Sequence, residues 1–217
     1  DFAAVVEQIN RRLGSHAIPV QLPWGREDQF RGVIDLLEMR GLLFDEVGTA
    51  QAVPLPVEFA AEAERARAQL VERLAEKDEA ILTAYVEHPD VPASILREGL
   101  RRQTLANQVV PVLCGASLRN KGIQPLMDAV VDFLPAPVDS PSVSGHHPKT
   151  DERVTRAADD FGPMAALAFK LQTDPFIGRL VFIRVYSGQV KKGQNVYNPR
   201  LKKRERVTRL VMLHADH

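Results

Sequence analysis

From Pro111 to Pro137 the chain reads P-V-L-C-G-A-S-L-R-N-K-G-I-Q-P-L-M-D-A-V-V-D-F-L-P-A-P, and few arrangements accommodate such a run. Val109, Val110, Val112 and Leu113 form the apolar stretch of a strand covered on both faces. Gly115-Ala116-Ser117 carries no bulk, so another molecule can approach its backbone closely. Ile123, Leu126, Met127, Val130, Val131 and Leu134 recur at helical spacing. Pro135 and Pro137 then stop the helix. The pattern is strand, tight loop, amphipathic helix. A small-residue loop at the carboxyl end of a parallel strand is where open α/β sheets bind ligands.

Upstream, Phe2, Val5, Val6, Ile9 and Leu13 predict a short helix ending at Gly14. Ile18–Leu22 is a strand broken by Pro19, followed by a turn at Pro23-Trp24-Gly25. Residues 30–44 read as strand, glycine bend, strand, with bends or bulges at Gly32 and Gly41. Val53–Val57 holds two prolines and suits a sheet edge. Residues 58–86, Ala-, Glu- and Arg-rich without Gly or Pro, predict one long helix with the stripe Leu70, Leu74, Ile81 and Tyr85. On it Glu72, Glu76 and Glu79 fall at i, i+4 and i+7, one acidic face beside the apolar stripe. Asp90 and Pro92 start a further helix with Ile95, Leu96, Leu100 and Leu105 inside. The first 134 residues thus mix a small antiparallel sheet with helices at one end of a parallel α/β element.

Residues 135–162, rich in Pro, Ser, His and Asp, read as a linker or mobile loop. Beyond it the period becomes two: Ala165, Leu167, Phe169 and Leu171, then Val181, Ile183 and Val185. An Asp174-Pro175 turn closes near Gly178, and Val190–Gly193, Val196–Asn198 and Val207–Leu213 add short strands. These few strands read as an incomplete β-barrel or sandwich.

Charge divides the chain the same way. Residues 1–134 carry 14 Lys/Arg against 20 Asp/Glu, a net of −6, and residues 135–217 carry 14 against 8, a net of +6. Two units that meet different partners fit this asymmetry, the basic one suiting phosphate backbones. Arg200, Lys202, Lys203, Arg204, Arg206 and Arg209 flank a turn, and alternation puts Arg204 and Arg206, with Lys202, on one face.

Catalytic signals are few. A phosphate loop, G-x-x-x-x-G-K-[ST], is absent, and Asn120-Lys121 is followed by Ile123 where N-K-x-D requires Asp. Asp45-Glu46-Val47-Gly48 matches D-x-x-G, but without a phosphate loop it reads as a chance match. Cys114, the only cysteine, reads as buried and inert; it excludes an internal disulfide and fits a reducing compartment. His146-His147 lacks other spaced ligands and reads as a solvated pair rather than a metal site. No run is long enough to span a membrane, and the start at Asp1, without a signal-like segment, fits an excised or processed piece.

Taken together, these motifs resemble those of translation elongation factor G, the ribosomal translocation GTPase. The carriers are N-K-G-I-Q and D-A-V-V-D-F-L-P-A-P; A-L-A-F-K, D-P-F-I-G-R-L-V-F-I-R-V-Y-S-G, V-Y-N and K-R-E-R-V-T-R-L-V-M-L-H-A; and, upstream, Asp1-Phe2, I-P-V-Q-L-P-W-G and F-R-G-V-I-D-L. The resemblance covers nearly the whole chain, least well over residues 45–70. It implies a multi-domain α/β protein: the C-terminal part of a P-loop GTPase G domain with an α+β G′ insertion, then an incomplete all-β translation-factor β-barrel. Residues 1–17 would be the last helices of the G domain, 18–108 the G′ insertion, 109–134 the end of the G domain, 135–162 a linker and 163–217 the start of barrel domain II.

The same resemblance implies a guanine-base loop at Gly115, Ala116, Ser117 and Leu118, where backbone N–H groups meet the guanine carbonyl. The family usually reads Gly-Ser-Ala there and this chain Gly-Ala-Ser, which keeps a backbone donor but not a fixed hydroxyl contact. It also implies docking of the ribosomal stalk protein at Glu72, Glu76 and Glu79, and rRNA contact through Lys202, Lys203, Arg204 and Arg206. GTP and Mg²⁺ would belong to the longer protein, whose phosphate loop, switches and N-K-x-D lie before Asp1. The piece alone would hold no cofactor and hydrolyse no GTP. The expected setting is the cytoplasm and the ribosome, without membrane or DNA partners. A ribosomal protection protein, a factor G paralogue and a non-enzymatic ribosome-binding adaptor stay open as alternatives. A truncated barrel further predicts disorder or intermolecular strand pairing after about residue 163.

Overall fold

The computed structural model describes residues 1–174 and 178–212, in two compact units, Asp1–Leu134 and Pro135–His217. The boundary falls where the prolines begin.

In the first unit, α1 (Phe2–Leu13) starts on Asp1, whose carboxylate accepts the Ala3 N–H, and ends on Gly14 at φ 60°. Asn10 holds the chain beyond it, its amide oxygen accepting the Ala17 N–H at 2.6 Å and its NH₂ donating to the Ala17 carbonyl at 3.1 Å. Two strands follow, β1 (Ala17–Pro19) and β2 (Gln21–Trp24), so Pro23 and Trp24 lie in a strand rather than the expected turn. Strands β3 (Gly32–Asp35), β4 (Arg40–Phe44) and β5 (Ala50–Pro54) complete an antiparallel sheet in the order β2-β3-β4-β5, with β5 at an edge, as Pro54 favours.

Gly32 and Gly41 are not bends; the chain turns between Asp35 and Arg40. They are positions of close approach. A Cβ on Gly32 would lie 2.2 Å from the Leu42 carbonyl oxygen, and one on Gly41 would lie 2.8 Å from the Trp24 ring.

Residues 58–86 form two helices where sequence predicts one. A 3₁₀ turn at Val57–Phe59 leads into α2 (Ala60–Ala75), and α3 (Glu79–Glu87) begins anew on Asp78. The cause is chemical. The Asp78 carboxylate accepts the Ala80 and Ile81 N–H groups, which makes it an N-cap rather than a helix-interior residue, and the Arg102 guanidinium grips both its oxygens. Next come α4 (Ala93–Leu105), β6 (Val110–Val112) and α5 (Ile123–Phe133). Strand β6 pairs with β1 in parallel, Ala17 opposite Val110.

One core of Ile34, Leu36, Leu70, Leu74, Ile81, Leu96 and Leu100 joins the sheet to α2, α3 and α4. Alternation along β3 sends Ile34 into it and Val33 into a second cluster with Phe30 and Phe44. The β6 strand is not covered on both faces as predicted: Val109 is buried but Val110 is 48% exposed. On α5 only Phe133 is buried, and Leu126, Met127, Val130 and Val131 face outward.

Among its described residues the second unit holds three antiparallel hairpins. The segment expected as a linker holds the first, β7 (Val143–His146) with β8 (Arg153–Arg156). The others are β9 (Ala165–Asp174) with β10 (Gly178–Ser187) and β11 (Asn195–Asn198) with β12 (Lys203–Arg206). A bulge in the long hairpin interrupts the alternation read over 165–171: Leu171 pairs with Val181, but Phe169 is passed over and Ala168 meets Ile183. Val190–Gly193 and the described part of Val207–Leu213 are not strands. Leu213 and the central residues of the Asp174-Pro175 turn lie outside the described residues. Among the described residues no closed barrel forms, and every buried apolar side chain lies in the first unit.

Candidate functional site

The loop from Leu113 to Gly122 leaves the carboxyl end of the parallel β1–β6 pair, where the strand–loop–helix pattern predicts it. Its two limbs are cross-linked: the Ala116 N–H donates to the Lys121 carbonyl at 2.9 Å, and the Lys121 N–H returns to the Ala116 carbonyl at 3.1 Å. The glycine at 115 is required by the loop itself. A Cβ there would lie 2.8 Å from the Lys121 carbonyl oxygen. A 3₁₀ turn, Ser117–Arg119, forms the tip and ends on Asn120 at φ 54°.

The four residues of the predicted base loop therefore differ. The Ala116 N–H is used internally, whereas those of Ser117 and Leu118 have no acceptor among the described residues. They open the 3₁₀ turn, where N–H groups lack a preceding turn to donate to. The Leu118 side chain is fully exposed.

Residues at and just after the tip reach the antiparallel sheet and the turns beside it. Arg119 pairs with Asp28. Asn120 donates through its NH₂ to the Val47 carbonyl at 2.6 Å, and Lys121 through Nζ to the Phe30 carbonyl at 2.9 Å. Gln124 Oε1 accepts the Ala50 N–H at 3.0 Å. Cys114 and Ala116 pack on the Phe30–Val33–Phe44 cluster. The D-E-V-G run is the other half of this junction: Asp45 accepts the Val47 and Thr49 N–H groups and shapes a tight turn against Asn120. Those hydrogen bonds, from Thr49 above all, hold the Asp45 carboxyl below its ordinary range. The D-x-x-G match and the incomplete N-K-x-D meet each other here. The N-K-G-I-Q stretch carries that signal, but its partners, Phe30, Val47 and Ala50, are 70 or more positions away and carry none.

Cys114 is half-buried, and burial pushes its thiol up to about 12. It is inert as a nucleophile near neutrality.

Glu72, Glu76 and Glu79 are all exposed, but they do not share one helix. Glu72 lies on α2, Glu76 caps its C-terminus and Glu79 opens α3, because Asp78 interrupts the predicted helix. Glu72 and Glu76 keep their i, i+4 relation, the Glu76 N–H donating to the Glu72 carbonyl at 3.1 Å, but Glu79 leaves that face with the new helix.

On the basic hairpin, register sorts the charges. Arg204 lies opposite Tyr197 and Arg206 opposite Asn195, so these four share a face. Lys203 and Glu205 take the other face, where the Asn198 NH₂ donates to Glu205 at 3.0 Å. Lys202 stands in the turn at φ 53°, outside the alternation expected to align it with Arg204. Tyr197 belongs to this face and is missed in sequence, because register is not legible there. His147 Nδ1 faces the Thr150 hydroxyl at 3.1 Å within the β7–β8 connection. No group of three metal-ligating side chains occurs among the described residues, and no helix there is long and apolar enough to cross a membrane.

Residues 178–217 match the family described as elongation factor Tu domain 2. The fold is similar to that of a crystal structure from Thermus thermophilus, with a TM-score of 0.67 and 24% identity, over 90% of this chain and 26% of that one. The chain thus spans about a quarter of the length of the structure it matches.

Proposed function

We propose that these 217 residues are part of a ribosome-dependent translational GTPase, of the elongation factor G type, that couples GTP hydrolysis to tRNA–mRNA movement. The match of residues 178–217 to elongation factor Tu domain 2 carries the reading. The α/β unit ahead of it fits: its parallel strand pair ends in a loop where the Gly115, Ser117 and Leu118 N–H groups have no acceptor among the described residues. In this reading Ser117 and Leu118 meet the guanine carbonyl, while Gly115 and Ala116 build the loop. The uncovered apolar stripe of α5 and the exposed Val110 are surfaces that the rest of a doubly covered α/β sheet would bury.

GTP would supply the hydrolysable phosphoanhydride and Mg²⁺ would neutralise its phosphates, from groups outside this chain. Here the residues fit only the base. Arg204 and Arg206, beside Tyr197, suit phosphate and base contact with rRNA; Lys202 and Lys203 flank them. Glu72, Glu76 and Glu79 suit a basic face of the stalk protein. All of this belongs to the cytoplasm.

The test is GTP turnover by the intact gene product that contains these residues, with and without ribosomes. Turnover stimulated by ribosomes is expected. Ribosome-independent turnover, or none, would reject the proposal and leave a binding adaptor.

A further inference from the structure

The junction between the base loop and the antiparallel sheet carries more than packing. Three side chains in a row after the loop tip, Arg119, Asn120 and Lys121, all turn to groups on the sheet or the turns beside it. Gln124 adds a fourth contact from the first turn of α5. Two of the acceptors are main-chain carbonyls, so their positions depend on the sheet's backbone, not on a movable side chain. The fit is also close in space: a Cβ on Gly48 would lie 2.1 Å from the Asn120 carbonyl oxygen. Beneath the loop, Cys114 and Ala116 share the Phe30–Val33–Phe44 cluster. Within the loop, the Ala116–Lys121 cross-link joins the limbs, and the Arg119 and Asn120 N–H groups close the 3₁₀ turn on the Ala116 and Ser117 carbonyls, each at 2.9 Å.

We infer that the β2–β5 sheet is a positioning element for base recognition: through the 45–49 turn and the Phe30 carbonyl it holds Asn120 and Lys121, and so aims the Ser117 and Leu118 N–H groups. This rests on the reading of residues 115–118 as a guanine contact. Asp45 is a positioning residue that acts through its own turn. It touches no loop residue, yet it shapes the turn that offers the Val47 carbonyl to Asn120. Loosening that turn lets the loop populate states in which its donors are misaligned, and apparent affinity falls with the competent fraction.

The experiment uses the intact gene product and measures GDP affinity and amide exchange at Ala116 and Lys121. Asp45→Ala is expected to weaken GDP about tenfold, as for one or two lost hydrogen bonds, and to speed exchange at both amides. Asp45→Asn keeps an acceptor and is expected to restore both. Ser117→Pro removes one free donor and leaves the sheet untouched. If Ser117→Pro leaves GDP affinity unchanged, the guanine reading falls. If Ser117→Pro weakens GDP while Asp45→Ala changes neither affinity nor exchange, the positioning role falls and the reading stands. Exchange that speeds in Asp45→Ala with affinity unchanged also overturns the positioning role. Should Asp45→Ala unfold, Asn120→Ala gives the same pair of readouts from the loop side.

Discussion

Single atoms decide much of the first unit. Gly32 sits where the Leu42 carbonyl oxygen would lie 2.2 Å from any Cβ, and backbone cannot swing aside as a side chain can. Gly32→Ala is therefore expected to cost about 1–3 kcal/mol, read as a lower urea midpoint with an unchanged slope. Cys114 makes a second residue-scale prediction. Its thiol is pushed up to about 12 in the folded chain, against about 8.5 when unfolded. Above the lower value the unfolded chain gives up its proton and the folded chain keeps it, so stability falls as pH rises between the two. The contribution is whole below the unfolded pKa. Urea midpoints at pH 8 and pH 10.5 are expected to differ less in Cys114→Ala than in the parent.

Elements owe their limits to contacts from elsewhere in the chain. The amphipathic patterns of α1, α4 and α5 are plain in sequence because helical period and caps are local. The break at Asp78 is not, since its second cause, Arg102, lies 24 residues on. Asp78→Ala is expected to remove cap and partner together and to cost about 1–2 kcal/mol, measured by thermal or urea unfolding. Gly41 misled for the same reason: only the sheet brings Trp24 and Val53 against it. The acidic residues at the α2–α3 junction can be tested without assuming a stripe. Replacing Glu72, Glu76 and Glu79 with lysine should weaken binding of the stalk protein's C-terminal domain in a titration, and unchanged affinity would count against docking there. The strand–loop–helix run around residues 115–118 is legible in sequence, whereas the internal bond of Ala116, which Ser117 and Leu118 lack, depends on the return of Lys121.

At the scale of the whole molecule, the two units differ in what holds them. Buried apolar area is the main source of protection against opening, and among the described residues every fully buried apolar side chain lies in Asp1–Leu134. Hydrogen exchange is expected to be slow in β3, α2 and α4 and fast across the three hairpins; protected hairpins in a monodisperse monomer would contradict this. The purified 217-residue chain is also expected to show no saturable GTP turnover above a buffer control, because it contains no phosphate loop.

The amino-acid sequence by itself determined the local periods, the break at Pro135, the charge division between units and the strand–loop–helix run. Each depends on residues within a turn or two of one another. Tertiary structure alone decided that N-K-G-I-Q and D-E-V-G meet, that Arg204 and Arg206 share a face with Tyr197, and that an expected linker folds back as a hairpin. Hydrogen bonds and strand register join positions that local propensity cannot relate, and the contacts of Asn120, Lys121 and Gln124 with residues 30–50 are of that kind.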